Sequence, residues 1–139
     1  MDETKYRQLE TELTIDPKAV GYAGMTDEQA ADALNEEGRT GEKKDVTLMA
    51  TWRLLTAVDD AEYAALTPIQ SSMFHAVLAC VQVDLSNPRI RAILQRIFVA
   101  TLVTKANMVA LAREPAARWE ILDLGGEVAY WDVNRARQL

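Results

Sequence analysis

Apolar residues recur at three- and four-residue spacing along most of this chain, and helix start and stop signals lie between the repeats. Residues 3–13 read as a short charged helix with Tyr6, Leu9 and Leu13 on one face. Asp16-Pro17 interrupts it, because the residue before a proline disfavours the helical conformation. Gly21-Tyr22-Ala23-Gly24-Met25 then forms a connector whose glycines suit a turn needing small residues or a positive φ, with Tyr22 packed on the core. Thr26 and Gln29 have capping-box spacing and Met25 sits where a hydrophobic staple would, so a helix over 27–37 turns Ala30, Ala33 and Leu34 inward. The next stretch, 37–45, holds Gly38, Arg39, Thr40 and Gly41 followed by Glu42, Lys43 and Lys44, with no apolar anchor. It predicts a flexible exposed loop.

The core pattern begins at Val46. A helix near 47–57 would bring Leu48, Met49, Trp52 and Leu55 onto one broad buried face. Asp59-Asp60 breaks it and caps a short turn through Glu62, Tyr63 and Leu66. Thr67-Pro68 pairs an N-cap with a proline at the first helical position and starts a helix to about 82. Ile69, Met73, Val77 and Val81 form its buried stripe, widened by Phe74 and Leu78. Ser86-Asn87-Pro88 opens a further helix to Ala100, with Ile90, Ile93, Leu94, Ile97 and Phe98 inward. Residues 105–113 add Val109, Leu111 and Ala112. Trp119, Ile121 and Leu122 lie between Pro115 and the Gly125-Gly126 stop, and a last amphipathic helix over about 130–138 carries Trp131, Val133 and Leu139. β-Branched residues gather near 97–104 and 128–133, but no alternating run is joined by a clear hairpin turn. The expected class is all-α: a compact orthogonal bundle of five to seven short helices with a flexible 37–45 loop.

At 139 residues the chain has room for one domain with a sizeable core. The expected organisation is a single helical domain over 1–139, with an acidic N-terminal extension and helix pair over 1–45 and a neutral apolar core region over 46–139. Charge motivates that division. The formal net charge is −6, and residues 1–45 hold 12 acids and 6 bases while 46–139 hold 9 of each. Such a balance lacks the basic stripe of a phosphate-neutralising protein, so direct nucleic-acid binding is disfavoured. Cys80 is the only cysteine, which excludes an intrachain disulfide and a four-cysteine zinc site and fits a reducing compartment most simply. The start, MDETKYRQ, lacks the basic and apolar regions of a signal peptide, and no apolar run approaches membrane-spanning length. A soluble protein without membrane contacts is expected.

Candidate chemistry is sparse. His75 is the sole histidine and shares a helix face with Ser71, Ser72, Ala79 and Gln82. Cys80 follows five residues later, diverging from it by about 140° around a helix, so the two do not form a nucleophile–base pair there. Asp59-Asp60-Ala61-Glu62 lacks the alternating oxygen ligands of a calcium loop and reads as capping. Gly21-Tyr22-Ala23-Gly24 lacks the third glycine or the lysine of a phosphate-binding loop. No catalytic, cofactor-binding or metal residue is assigned, and no cofactor is expected. Residues 85–113 carry Arg89, Arg91, Arg96, Lys105 and Arg113 without one acid, spread around the helix axis and not along one groove. Cation snorkelling is the plain explanation, and contact with an acidic partner is the functional one. Aromatics and arginines together supply the usual energetic centre of an interface. The candidate interface residues are therefore Tyr22, Arg39, Lys43, Lys44, Arg89, Arg91, Arg96, Trp119, Tyr130 and Trp131.

The string Asp16-Pro17-Lys18-Ala19-Val20-Gly21-Tyr22-Ala23-Gly24-Met25-Thr26-Asp27-Glu28-Gln29-Ala30-Ala31-Asp32-Ala33-Leu34-Asn35 resembles the opening of a group of small tailed-bacteriophage proteins from virion morphogenesis regions. So do the segment from Leu66-Thr67 through Leu111 and the closing Asp132-Val133-Asn134-Arg135-Ala136-Arg137. The likeness covers most of the chain and the order of its segments. It departs over residues 39–56 and at Ala129-Tyr130-Trp131, where a threonine cap is expected. The resemblance implies a non-catalytic structural or assembly protein of the phage head or head–tail region. Its partners would be other phage structural proteins and copies of itself, in the virion or in the bacterial host cytoplasm during assembly. The alternative is a small phage-encoded regulator or host-defence inhibitor that binds a bacterial host protein through its acidic surface.

Overall fold

A computed structural model describes all 139 residues, and the chain divides into two compact units. Unit 1 comprises Met1–Lys44 together with Pro115–Leu139, and unit 2 is Asp45–Glu114. The sequence reading ran 46–139 together as one apolar region; the structure groups its last segment with the N-terminal third.

The structure is mostly helical but not all-α. It has nine α-helices, one 3-10 turn and four short strands in two small antiparallel sheets, so the five-to-seven-helix bundle is corrected to a mixed, mainly helical fold. The strands escape the sequence pattern for two reasons. Each is two or three residues long, too short for alternation to register. Each also pairs with a segment far away in sequence, so no hairpin turn announces it. The strand β1 (Lys43–Asp45) pairs with β4 (Arg113–Pro115), and β2 (Met49–Ala50) pairs with β3 (Gln82–Val83) in the register Met49 to Val83 and Ala50 to Gln82. The stretch expected to be a flexible loop, 37–45, thus ends in a strand.

In unit 1, α1 (Glu3–Ile15) buries Tyr6, Leu9 and Leu13, as its spacing requires. Asp16 ends it in the left-handed region (φ +47°), and its carboxylate accepts the backbone N–H groups of Val20 and Gly21. The 3-10 turn Tyr22–Gly24 follows, with Gly21 at φ +92° and Tyr22 fully buried. Helix α2 (Asp27–Asn35) opens on the Thr26–Gln29 capping box and buries Ala30, Ala31, Ala33 and Leu34. After β4 come α8 (Arg118–Ile121) and α9 (Tyr130–Ala136), which adds Val133 and Ala136 to the same core. The side chain of Asp132, at the third helical position, accepts the Ala129 N–H, which is one half of a capping box; Ala129 has no side-chain oxygen to supply the other half. The Asn35 amide both donates to the Val128 carbonyl (2.8 Å) and accepts the Val128 N–H (2.9 Å), mimicking a strand neighbour across 93 residues.

In unit 2, α3 (Trp52–Ala57), α4 (Asp60–Ala64), α5 (Pro68–Leu78), α6 (Pro88–Ile97) and α7 (Val103–Leu111) surround Met49, Leu54, Phe74, Val83, Leu85, Ile97 and Phe98. Phe74 and Phe98 meet edge-to-face with centroids 5.1 Å apart. Thr67 caps α5 through a capping box with Gln70, Asn87 caps α6 and Asp59 caps α4. The expected helix over 47–57 is instead a strand followed by six helical residues. That change of period reverses its faces: Leu54 is buried, while Leu48, Trp52 and Leu55 are exposed. Helix α5 ends at Leu78, short of the expected 82, which leaves Val81 beyond it and exposed; Ile69, the helix's second residue, is exposed as well.

Helix α7 shows how a poor local signal is rescued. Leu102 at its N-cap offers no side-chain acceptor. Instead Glu62, on α4, accepts the N–H groups of Leu102, Val103 and Thr104 at 2.7–2.9 Å. A hydrogen bond from the Thr104 hydroxyl, aided by these three N–H groups, brings the Glu62 carboxyl down to about 2.

Two outcomes follow from these fastenings. Asn35→Ala should lower the stability of the chain by about 1–3 kcal/mol in urea unfolding, because it strands both polar groups of Val128. Glu62→Gln should speed amide hydrogen exchange at Leu102–Thr104 at neutral pH. Since the folded-state carboxyl lies below its unfolded value, Glu62 contributes stability above about pH 4.5 that disappears as pH falls toward about 2. Wild type and variant melting temperatures should therefore converge at the acid end of that window.

Candidate functional site

Three features outside ordinary core packing stand out. The first is a buried ionic cluster in unit 1. Arg118 on α8 donates two parallel hydrogen bonds to Glu12 of α1, Nε to Oε1 at 2.9 Å and Nη2 to Oε2 at 2.8 Å. Its Nη1 reaches Glu42 Oε2 at 2.7 Å, and Glu42 also accepts the Thr40 hydroxyl and pairs with Lys18 at 3.1 Å. Glu12 and Arg118 are 3% and 6% exposed. Burial pushes the Glu42 carboxyl up, but hydrogen bonds from Lys18, Arg118 and Thr40 outweigh it and hold the group below the usual range. Glu120 behaves alike: burial opposes ionisation, and Lys44 Nζ at 2.7 Å with the Ala117 N–H outweighs it. The Tyr22 hydroxyl is buried without a hydrogen-bond partner, and desolvation, with the Glu12 charge adding to it, pushes the phenol up to about 12.

The second feature is a cavity of about 280 Å³ in unit 2, lined by Leu54, Leu85, Leu94, Phe98, Met108 and Ala112. Arg91, Lys105 and Arg113 stand at its edge with Asp45. Asp45 pairs with Arg91 at 3.2 Å and with Arg113 at 3.4 Å, and Arg91 Nε also donates to the Leu85 carbonyl.

The third is a set of apolar side chains that unit 2 leaves in water. Trp52 and Leu55 lie one helical turn apart on α3 and are 64% and 53% exposed. Val81, 84% exposed, accepts the Thr51 N–H through its carbonyl and so stands beside the start of α3. At the other end of the unit's sequence Val99, Leu102 and Val103 are exposed around the joint between α6 and α7.

The residues expected at an interface differ in exposure. Tyr22 is fully buried, because its ring fills the core between α1 and α2. Lys44 is half-buried and held by Glu120, and Trp119 is half-buried against the unit 1 core. Arg39, Lys43, Arg89 and Arg96 are exposed, with Arg39 paired to Glu36, while Arg91 is half-buried at the cavity. Tyr130 and Trp131 are exposed and stack edge-to-face with centroids 5.0 Å apart. His75 is exposed with Nε2 2.8 Å from the Tyr63 hydroxyl, and Cys80 is exposed. No group of three or more His, Cys, Asp or Glu side chains is placed to hold a metal ion, and no helix is long and apolar enough to cross a membrane.

Compared with protein-family models, curated proteins and solved structures, the chain matches none.

The ionic cluster makes unit 1 acid-sensitive. Glu42 and Glu120 ionise more readily folded than unfolded, so their contribution is present above about pH 4.3 and is lost as pH falls through that value and below. Arg118→Met should leave Glu12 buried without a counter-charge and cost about 3–5 kcal/mol near neutral pH. Urea unfolding of the wild type and the variant near neutral pH would measure it.

Proposed function

We propose that this chain is a non-catalytic assembly protein of a tailed bacteriophage, working by protein–protein contact in the head or head–tail region with other structural proteins of the particle and with copies of itself. The phage setting rests on the residue resemblance described above. The contact role rests on one observation above others: unit 2 leaves Trp52, Leu55 and Val81 together in water beside the start of α3. Tryptophan is among the residues that most often carry the binding energy of an interface, and exposed apolar side chains are stabilised when a partner covers them. The charge distribution is compatible with this. Unit 2 holds six acids and six bases, so electrostatic self-repulsion does not oppose packing of its surface against a neighbour.

The deciding measurement is quantitative mass spectrometry of purified particles. The chain should be present in a reproducible copy number, and Trp52→Glu should lower that number several-fold without changing the circular dichroism of the isolated protein. Absence from particles, with the chain held instead by one identified bacterial host protein, would overturn the proposal.

A further inference from the structure

We infer that unit 2 also carries a binding site for a small amphipathic monoanion, a carboxylate joined to an apolar chain or ring, in the cavity between α3, α6 and α7. The floor is built for an apolar body. Leu54, Leu85, Leu94 and Phe98 are buried there, and Met108 adds an adaptable thioether. About 280 Å³ is roughly twice the ~150 Å³ cavity that admits a benzene ring, which leaves room for a chain of about eight to ten carbons. The edge is built for a negative charge. Three cations from three elements converge on it: Arg91 from α6, Lys105 from α7 and Arg113 from β4. The one carboxylate among them, Asp45, is shared by Arg91 and Arg113, and Lys105 has no ion pair. Residues 85–113 contain no acid; Asp84 and Glu114 flank them, and the Arg91 charge acts on Asp84.

These two halves select the ligand class together. A neutral hydrocarbon would bury the floor and leave Lys105 without a counter-charge, an inorganic anion would leave the floor empty, and a cation would be repelled at the entrance. A carboxylate head at the edge with its tail inside satisfies both, in the manner of small-molecule pockets between helices. Arg91 is pinned by Asp45 and the Leu85 carbonyl and so helps hold the edge in place. Lys105 is the group available to meet the incoming charge. The inference stands independently of the assembly role.

Calorimetric titration of the full chain with octanoate, and in parallel with 1-octanol, tests it. Octanoate should bind at one site per chain, and octanol at least tenfold more weakly. Lys105→Glu should weaken octanoate at least fivefold while leaving octanol unchanged. Met108→Trp should abolish both. Methyl NMR on the unaltered protein reads the same site without any substitution, and saturable shifts should centre on Leu54, Leu94 and Met108. No saturable binding, equal affinity for the alcohol, or shifts confined to other residues would each overturn the site. An acidic leucine-containing peptide that binds the cavity when octanoate does not would overturn it too, by assigning the cavity to a protein partner.

Discussion

A single guanidinium, Arg118, closes unit 1 by bridging two carboxylates from distant parts of the chain. The unit is assembled from Met1–Lys44 and Pro115–Leu139, and nothing in the local propensity of either segment brings them together. Helix α8 is only four residues long, too short to hold its place by helix formation. What fixes it is the paired geometry of Arg118 against Glu12, completed by Glu42. Buried ion pairs are weak sources of net stability, because desolvation offsets most of the attraction. Their effect is on which arrangement is allowed. Any packing of α8 that separates Arg118 from Glu12 strands two charges in an apolar setting, so competing arrangements are penalised more than the native one is favoured. The remaining cross-segment bonds work in the same direction. Arg137 reaches Asp27 and the carbonyls of Tyr22 and Met25, Asn35 brackets Val128, and the Tyr6 hydroxyl meets Asp132 at 2.6 Å.

Unit 2 is organised differently. It is one continuous stretch of chain, and its helices are started mainly by residues next to them: Asp59, Thr67 and Asn87. Beside the Asp45 ion pairs, several of its long-range polar links serve backbone ends. Glu62 satisfies the three leading N–H groups of α7, and the Thr51 hydroxyl donates to the Cys80 carbonyl at 2.6 Å where β2 meets β3. The helices are short and the core is mostly aliphatic with two stacked phenylalanines, so a substantial share of the apolar residues has no room inside. Trp52, Leu55 and Val81 are among those left exposed.

Legibility in the sequence followed the range of the interaction that decides each feature. Capping signals act over three residues, and Thr26, Asp59 and Thr67 mark their helices as read. The face of α1 was readable from Tyr6, Leu9 and Leu13 because the helix is long enough to repeat its period. Helix α3 is different: six residues cannot establish which side is inward, and the strand just before it shifts the register, so Trp52, expected in the core, lies in water. The four strands were invisible for the reasons of length and distance already given, and the all-α reading failed with them. The candidate site was legible only in part. The acid-free stretch 85–113 supplied Arg91, yet Leu54 and Asp45 reach the same cavity from far upstream. Glu12 did leave a trace, since it falls beside Leu9 and Leu13 on the buried face of an otherwise charged helix. A carboxylate in that position calls for a cation, but no spacing rule points across 106 residues to Arg118.

The uneven charge of the two units acquires a physical reason from this contrast. All of the net −6 belongs to unit 1, whereas unit 2 is neutral and carries most of the exposed aliphatic side chains. Net charge resists unspecific association, while a neutral surface with exposed apolar groups favours it. A chain composed entirely like unit 2 would associate without selectivity as its concentration rose. One composed entirely like unit 1 would carry a net charge that opposes its own association. On the proposed assembly role, joining them in one polypeptide would let the acidic unit keep the chain dispersed until an apolar partner surface of the right shape covered Trp52 and its neighbours. Selectivity would then come from the difference between a well-fitted contact, which offsets the repulsion, and a poorly fitted one, which does not.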